Sequence, residues 1–301
     1  MLETSERLAL DMSSPAFDVI VCGSLHLDIM VHAPHLPRPD ETVVGTKWAL
    51  QCGGKGGNQA VMAARAGARV AMIGRVGRDD FGVRLRSHLA DAGVDSRAVL
   101  VDESAGSGMS AAILRDGGDY GAVIISGSNL RLEPVGVAEQ WKAVGGAKVL
   151  ILQNEIPEPA NLAAAGAANA DGAFVIMNAA PARAMGNALL DRLDCLVVNR
   201  IEAEMLSGDP VRDPADAAFA LSKIGGRIKN IIVTLGGDGL VIKSDDTISP
   251  IAAKRVKVVS SHGAGDCFVG ALAAKVASGA SLTEAAEFAN AVAAAHVSKQ
   301  R

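Results

Sequence analysis

The sequence predicts an α/β protein, a doubly wound and mostly parallel β-sheet flanked by helices, with a small antiparallel β lid. Three observations predict it. Short apolar runs of strand length recur along the chain, helical patterns separate them, and one alternating pair of runs about a turn breaks the rhythm. The 301 residues, 49% of them hydrophobic, suffice for the core such a sheet needs.

Residues 1–16 are acidic and polar, without a basic start or an apolar centre, so they read as an N-terminal extension rather than a secretory signal, ahead of one domain spanning 17–301. A cytoplasmic location follows as the expectation. Phe17 to Gly23 is an apolar run ending in glycine, and similar runs at Val70 to Ile73, Val149 to Leu152, Phe174 to Met177, Cys195 to Val198 and Ile231 to Leu235 read as buried parallel strands. Helical patterns lie between and after them at Asn58 to Ala66, Phe81 to Ala92, Pro159 to Ala170, Asp213 to Ile224, Asp266 to Ser278 and Leu282 to His296. The exception is Met109 to Leu114 and Tyr120 to Ile125, which alternate about Arg115-Asp116-Gly117-Gly118-Asp119, a set of turn residues suited to a hairpin. With Ile29 to His32 and Thr42 to Trp48 this hairpin makes a small sheet over the carboxyl edge of the main one, where open α/β folds bind ligands.

A net charge of −4 gives no basic field for nucleic acid, and no apolar segment is long enough to span a bilayer. The cysteines at 22, 52, 195 and 267 lack Cys-x-x-Cys spacing and neighbouring histidines, which argues against structural zinc or a disulfide framework. Cys52 and Cys267 adjoin glycine-rich loops, and small buried hydrophobe is the expected role for all four.

Chemistry points to Ser260-Ser261-His262-Gly263-Ala264-Gly265-Asp266, where small residues and one aspartate run into a helix-forming tail. The unspent N–H groups of a helix N-terminus and its dipole attract anions such as a phosphoryl group. Gly263, Ala264 and Gly265 let that backbone approach a ligand, and Asp266 sits where a general base takes a proton from an alcohol. His262 reads as a turn histidine near solvent. A second glycine-rich turn, Gly53-Gly54-Lys55-Gly56-Gly57-Asn58-Gln59-Ala60, opens the first helix; it is no Walker motif, since the lysine comes early and no Ser or Thr follows it.

These two turns, with Asp28 after the first strand, Asn199-Arg200-Ile201-Glu202 and Thr234-Leu235-Gly236-Gly237-Asp238-Gly239, resemble in order the ribokinase family of sugar and nucleoside kinases, also called the phosphofructokinase-B family. The resemblance runs from about Val19 to about His296. Gln153-Asn154-Glu155-Ile156-Pro157 and Asn178 to Arg183 look more like its ribokinase branch than like fructokinases.

The resemblance implies ATP and Mg²⁺ as cofactors and a sugar hydroxyl as acceptor. It implies that Asp28, Gly54, Lys55, Asn58 and Glu155 hold the sugar, although Glu155 alone reads equally as a solvated carboxylate at a strand end. Asn199 and Glu202 would organise Mg²⁺ through water, Thr234 and Gly236 would line the nucleotide loop, and Asn290 would lie beside the adenine. The lid would close over the sugar and pair with a second subunit in a homodimer.

Two positions depart from the family. His26 stands where ribose-specific members carry Asn, which leaves a related sugar, a sugar acid or a nucleoside open as the acceptor. Ser260 replaces an aspartate that binds a monovalent cation in relatives, and the chain stops at Arg301 before the loop that completes that site, so little dependence on potassium is expected. A nucleoside kinase of the same fold is the alternative kept open by His26, and a non-catalytic sugar sensor is the alternative from another class. A dinucleotide-dependent oxidoreductase fails, because Gly23-Ser24-Leu25-His26 follows the first strand where Gly-x-Gly-x-x-Gly is needed.

Overall fold

Runs of Val, Ile and Leu with no polar alternation can be buried only in strands covered on both faces. In the structure, a computed structural model describing residues 15–115, 120–224, 226–245 and 247–298, these runs form the middle of one sheet. The first part of the chain makes β1 (Phe17–Cys22), β2 (His26–Ala33), β3 (Lys47–Gly53), α1 (Lys55–Arg65), β4 (Val70–Gly77), α2 (Asp80–Asp91), β5 (Val94–Asp95) and β6 (Val99–Asp102). Next come β7 (Gly108–Arg115), β8 (Tyr120–Ile125), α3 (Pro134–Val144), β9 (Ala147–Gln153), α4 (Glu158–Ala170), β10 (Phe174–Asn178) and α5 (Asn187–Leu190). The last part makes β11 (Cys195–Asn199), α6 (Arg200–Ser207), α7 (Pro214–Ile224), β12 (Asn230–Thr234), β13 (Leu240–Ser244), β14 (Thr247–Ile251), α8 (Ala264–Ala277) and α9 (Leu282–Val297).

The main sheet runs β14-β13-β12-β11-β10-β9-β1-β4-β5, with β6 also paired to β4. From β12 to β4 every pairing is parallel, and β13 and β14 add an antiparallel edge that the sequence did not signal. Successive residues of β1 feed opposite layers. Val19 and Val21 pack with α1, α2, α8 and α9, whereas Ile20 and Cys22 pack with α3, α4 and α7. Ala160, Ala164, Ala165 and Ala168 let α4 settle close on the sheet. A fully buried Leu or Ile is worth about 1.5–3 kcal/mol and an exposed ion pair such as Arg227 with Asp191 about 0–1, so the two apolar layers set the fold. No described helix is long and apolar enough to cross a membrane.

The second sheet, β3-β2-β7-β8, is the lid. Its β7–β8 hairpin pairs as expected, with the turn at 116–119 outside the described residues. Two expectations need correction. The strand expected at Thr42 to Trp48 lies at Lys47–Gly53, because its register with β2 runs from His26 opposite Gly53 to His32 opposite Lys47, with one further bond from the Thr46 N–H to the His32 carbonyl at 2.8 Å. The sheet is also not wholly antiparallel, since its central pair β2–β7 runs parallel. Residues 1–14 of the expected extension lie outside the described residues, and Phe17 opens β1 as expected.

Strand order reverses at β1, whose neighbours are β4 on one side and β9 on the other, so the connections leaving the carboxyl ends of β1 and β9 diverge there. Over this crevice α1 crosses α8 with backbones in contact. A Cβ built on Gly270 would fall 2.5 Å from the Gln59 carbonyl oxygen and 2.9 Å from the Ala63 nitrogen. Gly270→Ala therefore forces the helices apart and is expected to destabilise by about 1–3 kcal/mol, despite alanine's better helix propensity. Gly166→Ala in α4, whose Cβ meets nothing nearer than 3.9 Å, is expected to be neutral or stabilising by up to about 1 kcal/mol. Urea midpoints of the two variants check the opposite signs.

Candidate active site

The first turn of α1 is fully engaged by the protein itself. The Lys55 N–H donates to Glu155 Oε2 at 2.9 Å, the Gly57 N–H to the Ser24 carbonyl at 2.9 Å, and the Gly56 N–H to Ser24 Oγ at 3.4 Å. Gly54, in the left-handed region at φ 83°, admits this approach, since a Cβ there would lie 2.7 Å from the His26 nitrogen. This helix N-terminus is thus tied to the β1–β2 connection and to Glu155, and has nothing left for a phosphate.

At the start of α8 the arrangement is the reverse. Gly263 caps the helix at φ 74°, and the first intrahelical bond runs from the Cys267 N–H to the Gly263 carbonyl at 2.9 Å. The N–H groups of Gly265 and Asp266 precede that bond and have no acceptor within the helix. The Ala264 N–H, expected among the donors, instead turns back to the Ser261 carbonyl at 3.2 Å.

Asp266 is 8% exposed. Asn58 Nδ2 donates to its Oδ2 and Gln59 Nε2 to its Oδ1, both at 3.0 Å. Burial pushes its carboxyl above the usual aspartate range, against the opposing pull of the Lys55 ammonium and the two amides. The same cation acts on Glu202, whose carboxyl burial also raises.

Asp266 opens on a cavity of about 830 Å³ under the lid. Its walls include His26, Asp28, Gly54, Lys55, Asn58, Glu155, Asn199, Glu202, Thr234, Gly263, Ala264 and Gly265, so these twelve expected site residues meet Asp266 in one space. Asp28 accepts from the Ser110 hydroxyl of the neighbouring lid strand. Glu155 accepts from the Ser24 hydroxyl as well as from Lys55. Glu202 and Asn199 form a capping box at the start of α6: the Asn199 N–H and Nδ2 donate to Glu202 at 2.7 and 2.8 Å, and Asn199 Oδ1 accepts from the Glu202 N–H at 2.9 Å. Thr234 Oγ1 donates to the Val198 carbonyl at 3.3 Å. A larger cleft, about 1060 Å³, lies between α1, α2 and α9 and shares Asn58, Gly263 and Asp266, but it lacks Asp28, Glu155 and Glu202.

Gly236 and Asn290 stand apart from the cavity. Gly236 is exposed in a short turn that Arg200 pins through Asp238 at 2.8 Å, and Asn290 Nδ2 donates to the Ala252 carbonyl at 2.8 Å, holding the segment after β14. Sequence reasoning missed Gln59, Ser24, Ser110 and Asn129. Gln59 could have been found, because a polar residue beside Asn58 on the buried side of an apolar helix needs a partner; the others depend on chain crossings that no local pattern encodes.

The profile described as pfkB family carbohydrate kinase matches residues 16–301. The chain is 31% identical over 281 residues to the ribokinase of Haemophilus influenzae, spanning 93% of this chain and 92% of that one. It is 31% identical over 259 residues to the deoxyribokinase of Salmonella typhi, spanning 85% and 84%. The structure of Arabidopsis thaliana ribokinase complexed with ribose and ATP superposes with a TM-score of 0.87 at 27% identity, covering 96% of this chain and 94% of that one.

Because the folded state raises the Asp266 pKa above its unfolded value, the stability this group contributes is present below the unfolded value and is lost as pH rises through the folded one. Asp266→Asn removes the buried charge, and a flip of the Gln59 amide brings its unpartnered Oε1 to the new NH₂ group. Thermal unfolding midpoints of the variant are therefore expected above those of the wild type at pH 8, with the gap closing on acidification below the folded pKa. A variant less stable than the wild type at pH 8 contradicts this.

Proposed function

The chain belongs to the pfkB family of carbohydrate kinases, phosphotransferases with an alcohol acceptor, and on that premise we propose that it moves the γ-phosphoryl group of ATP to a hydroxyl of a pentose such as ribose or a related small sugar. The observation that carries this reading is Asp266, withdrawn from water at a helix N-terminus with unspent N–H groups and facing Asp28 and Glu155 across one cavity.

Asp266 Oδ2 takes the proton of the acceptor hydroxyl as its oxygen bonds to the γ-phosphorus and the bond to the β–γ bridging oxygen of ATP breaks. Asn58, which holds Oδ2 in the resting enzyme, yields that place to the hydroxyl, while Gln59 keeps Oδ1 and the orientation of the carboxylate. The Gly265 and Asp266 N–H groups and the α8 dipole stabilise the charge on the transferred group. Lys55, Asn58, Asp28 and Glu155 grip the sugar, and Thr234 lies at the nucleotide end.

The described residues contain no group of three or more His, Cys, Asp or Glu arranged for a metal ion, and both oxygens of Glu202 are engaged by Asn199. This donor set fits Mg²⁺ carried by ATP: Asn199 and Glu202 would hold the ion through water, and it would supply neutralisation of phosphate charge. Ser260 in place of an anionic side chain supports independence from potassium. Consumption of ATP fits the cytoplasm.

A nucleoside acceptor is the second reading, supported by the apolar lid residues Met30, Ala112, Leu114 and Ile124 that line the cavity. The free edge of β8, with Val123, Ile124 and Ile125 exposed, supports a homodimer through the lid, which sedimentation equilibrium tests.

ADP release is expected with ATP and Mg²⁺ on ribose or a related pentose, with the same rate in sodium and potassium salts. Asp266→Asn is expected to lower kcat by about three orders of magnitude or more while sugar binding by calorimetry persists. Turnover on nucleosides alone selects the second reading. Silence across sugars and nucleosides, with sugar binding intact, favours a sensor.

A further inference from the structure

Asn129 is fully buried on a short 3-10 turn, Gly127–Arg131, outside the cavity wall. Its amide is committed to backbone. Oδ1 accepts from the Leu25 N–H at 2.9 Å, and Nδ2 donates to the Leu25 carbonyl at 2.8 Å and to the Ser126 carbonyl at 2.9 Å. Exchanging O and N would set a donor against the Leu25 N–H and an acceptor against two carbonyls, so these bonds fix the amide's orientation. The group that faces His26 Nε2 at 3.3 Å is therefore the NH₂.

An Nε2–H would point one donor at another. Nε2 consequently keeps its lone pair, and the proton of the neutral ring sits on Nδ1. Nδ1 is turned the other way, 3.8 Å from Glu155 Oε2. The pair has no slack, because a Cβ on Gly108 would fall 2.2 Å from Asn129 Nδ2 and 2.6 Å from His26 Cδ2. Gly108 is itself held by the preceding residue, for the Ser107 N–H and hydroxyl donate to Asp79 at 2.7 and 2.6 Å. His26 is 5% exposed and shares the cavity wall with Asp28 and Glu155.

We propose that Asn129 is a positioning residue for acceptor recognition, which fixes His26 as an Nδ1–H donor beside the carboxylates of Asp28 and Glu155. A donor set among acceptors matches a hydroxyl, which gives its proton to a carboxylate and takes the imidazole N–H on its oxygen. An acceptor lacking that hydroxyl leaves a buried N–H unpaired and is bound less well. This consequence for specificity rests on the sugar-kinase reading; the ring's tautomer does not.

The test is a long-range ¹H–¹⁵N correlation spectrum of the full chain labelled at histidine, without ATP or sugar, with His26 assigned by His26→Gln. The expected result is an Nδ1–H ring in the wild type. Asn129→Ser is expected to raise KM for the sugar by about 3–10-fold, with kcat and KM for ATP within about twofold, and to have no further effect in a His26→Ala background. A proton on Nε2 in the wild type overturns the proposal, and so does an Asn129→Ser effect that persists in full without His26. Absence of turnover on every acceptor strikes the sugar-kinase reading alone, since the spectrum of the resting protein still decides the tautomer.

Discussion

A carboxylate almost wholly withdrawn from water is tolerable only where donors reach both of its oxygens, and the donors to Asp266 come from a helix 208 and 207 residues upstream. That requirement sets much of the architecture. For Asn58 and Gln59 to reach Asp266, α1 must cross α8 with no side chain between them, which Gly270 permits. For α1 to start at that place, its first turn must be tied to the β1–β2 connection and to Glu155, which the small residues Gly54 and Gly56 permit. Glu155 and Asp266 are thereby both tied to α1.

The division of labour between the two glycine-rich turns follows from their hydrogen bonds. Both open helices, so both have the dipole and the N–H groups that favour an anion. Only α8 leaves such groups toward the cavity; those of α1 are consumed by Ser24 and Glu155. The reversal of strand order at β1 places these turns on the same edge of the sheet, and the lid, hung from the β1–β2 connection, supplies Asp28 and Ser110 from above.

Most of the fold was legible in the sequence because fully buried strands read as short continuous apolar runs and the helices between them as longer periodic segments, and β1, β9, β10 and β11 begin within two residues of where their apolar runs do. The antiparallel edge β13–β14 was not read: Thr247 to Ile251 is an edge strand with no fully buried residue, and the short buried run Leu240 to Ile242 of β13 follows directly on a glycine-rich turn taken as the end of a strand. The start of β3 was misplaced because residues before Lys47 have strand-like composition, but the β2–β3 register ends at the pair His32 and Lys47. In the site, residues carried by the two glycine-rich turns converge as read, while Asn290 and Gly236 lie outside the cavity wall. Asn129 and Ser110 were invisible because their roles exist only once distant segments cross.

The proposed role of Asp266 requires a desolvated carboxyl whose orientation α1 holds. ¹³C NMR titration of its side-chain carboxyl, in the wild type and in Gln59→Leu, measures this directly. The expected wild-type midpoint lies above the ordinary aspartate range and moves further upward when the Gln59 donor is lost. A midpoint at or below the ordinary range, or one indifferent to Gln59, would contradict it.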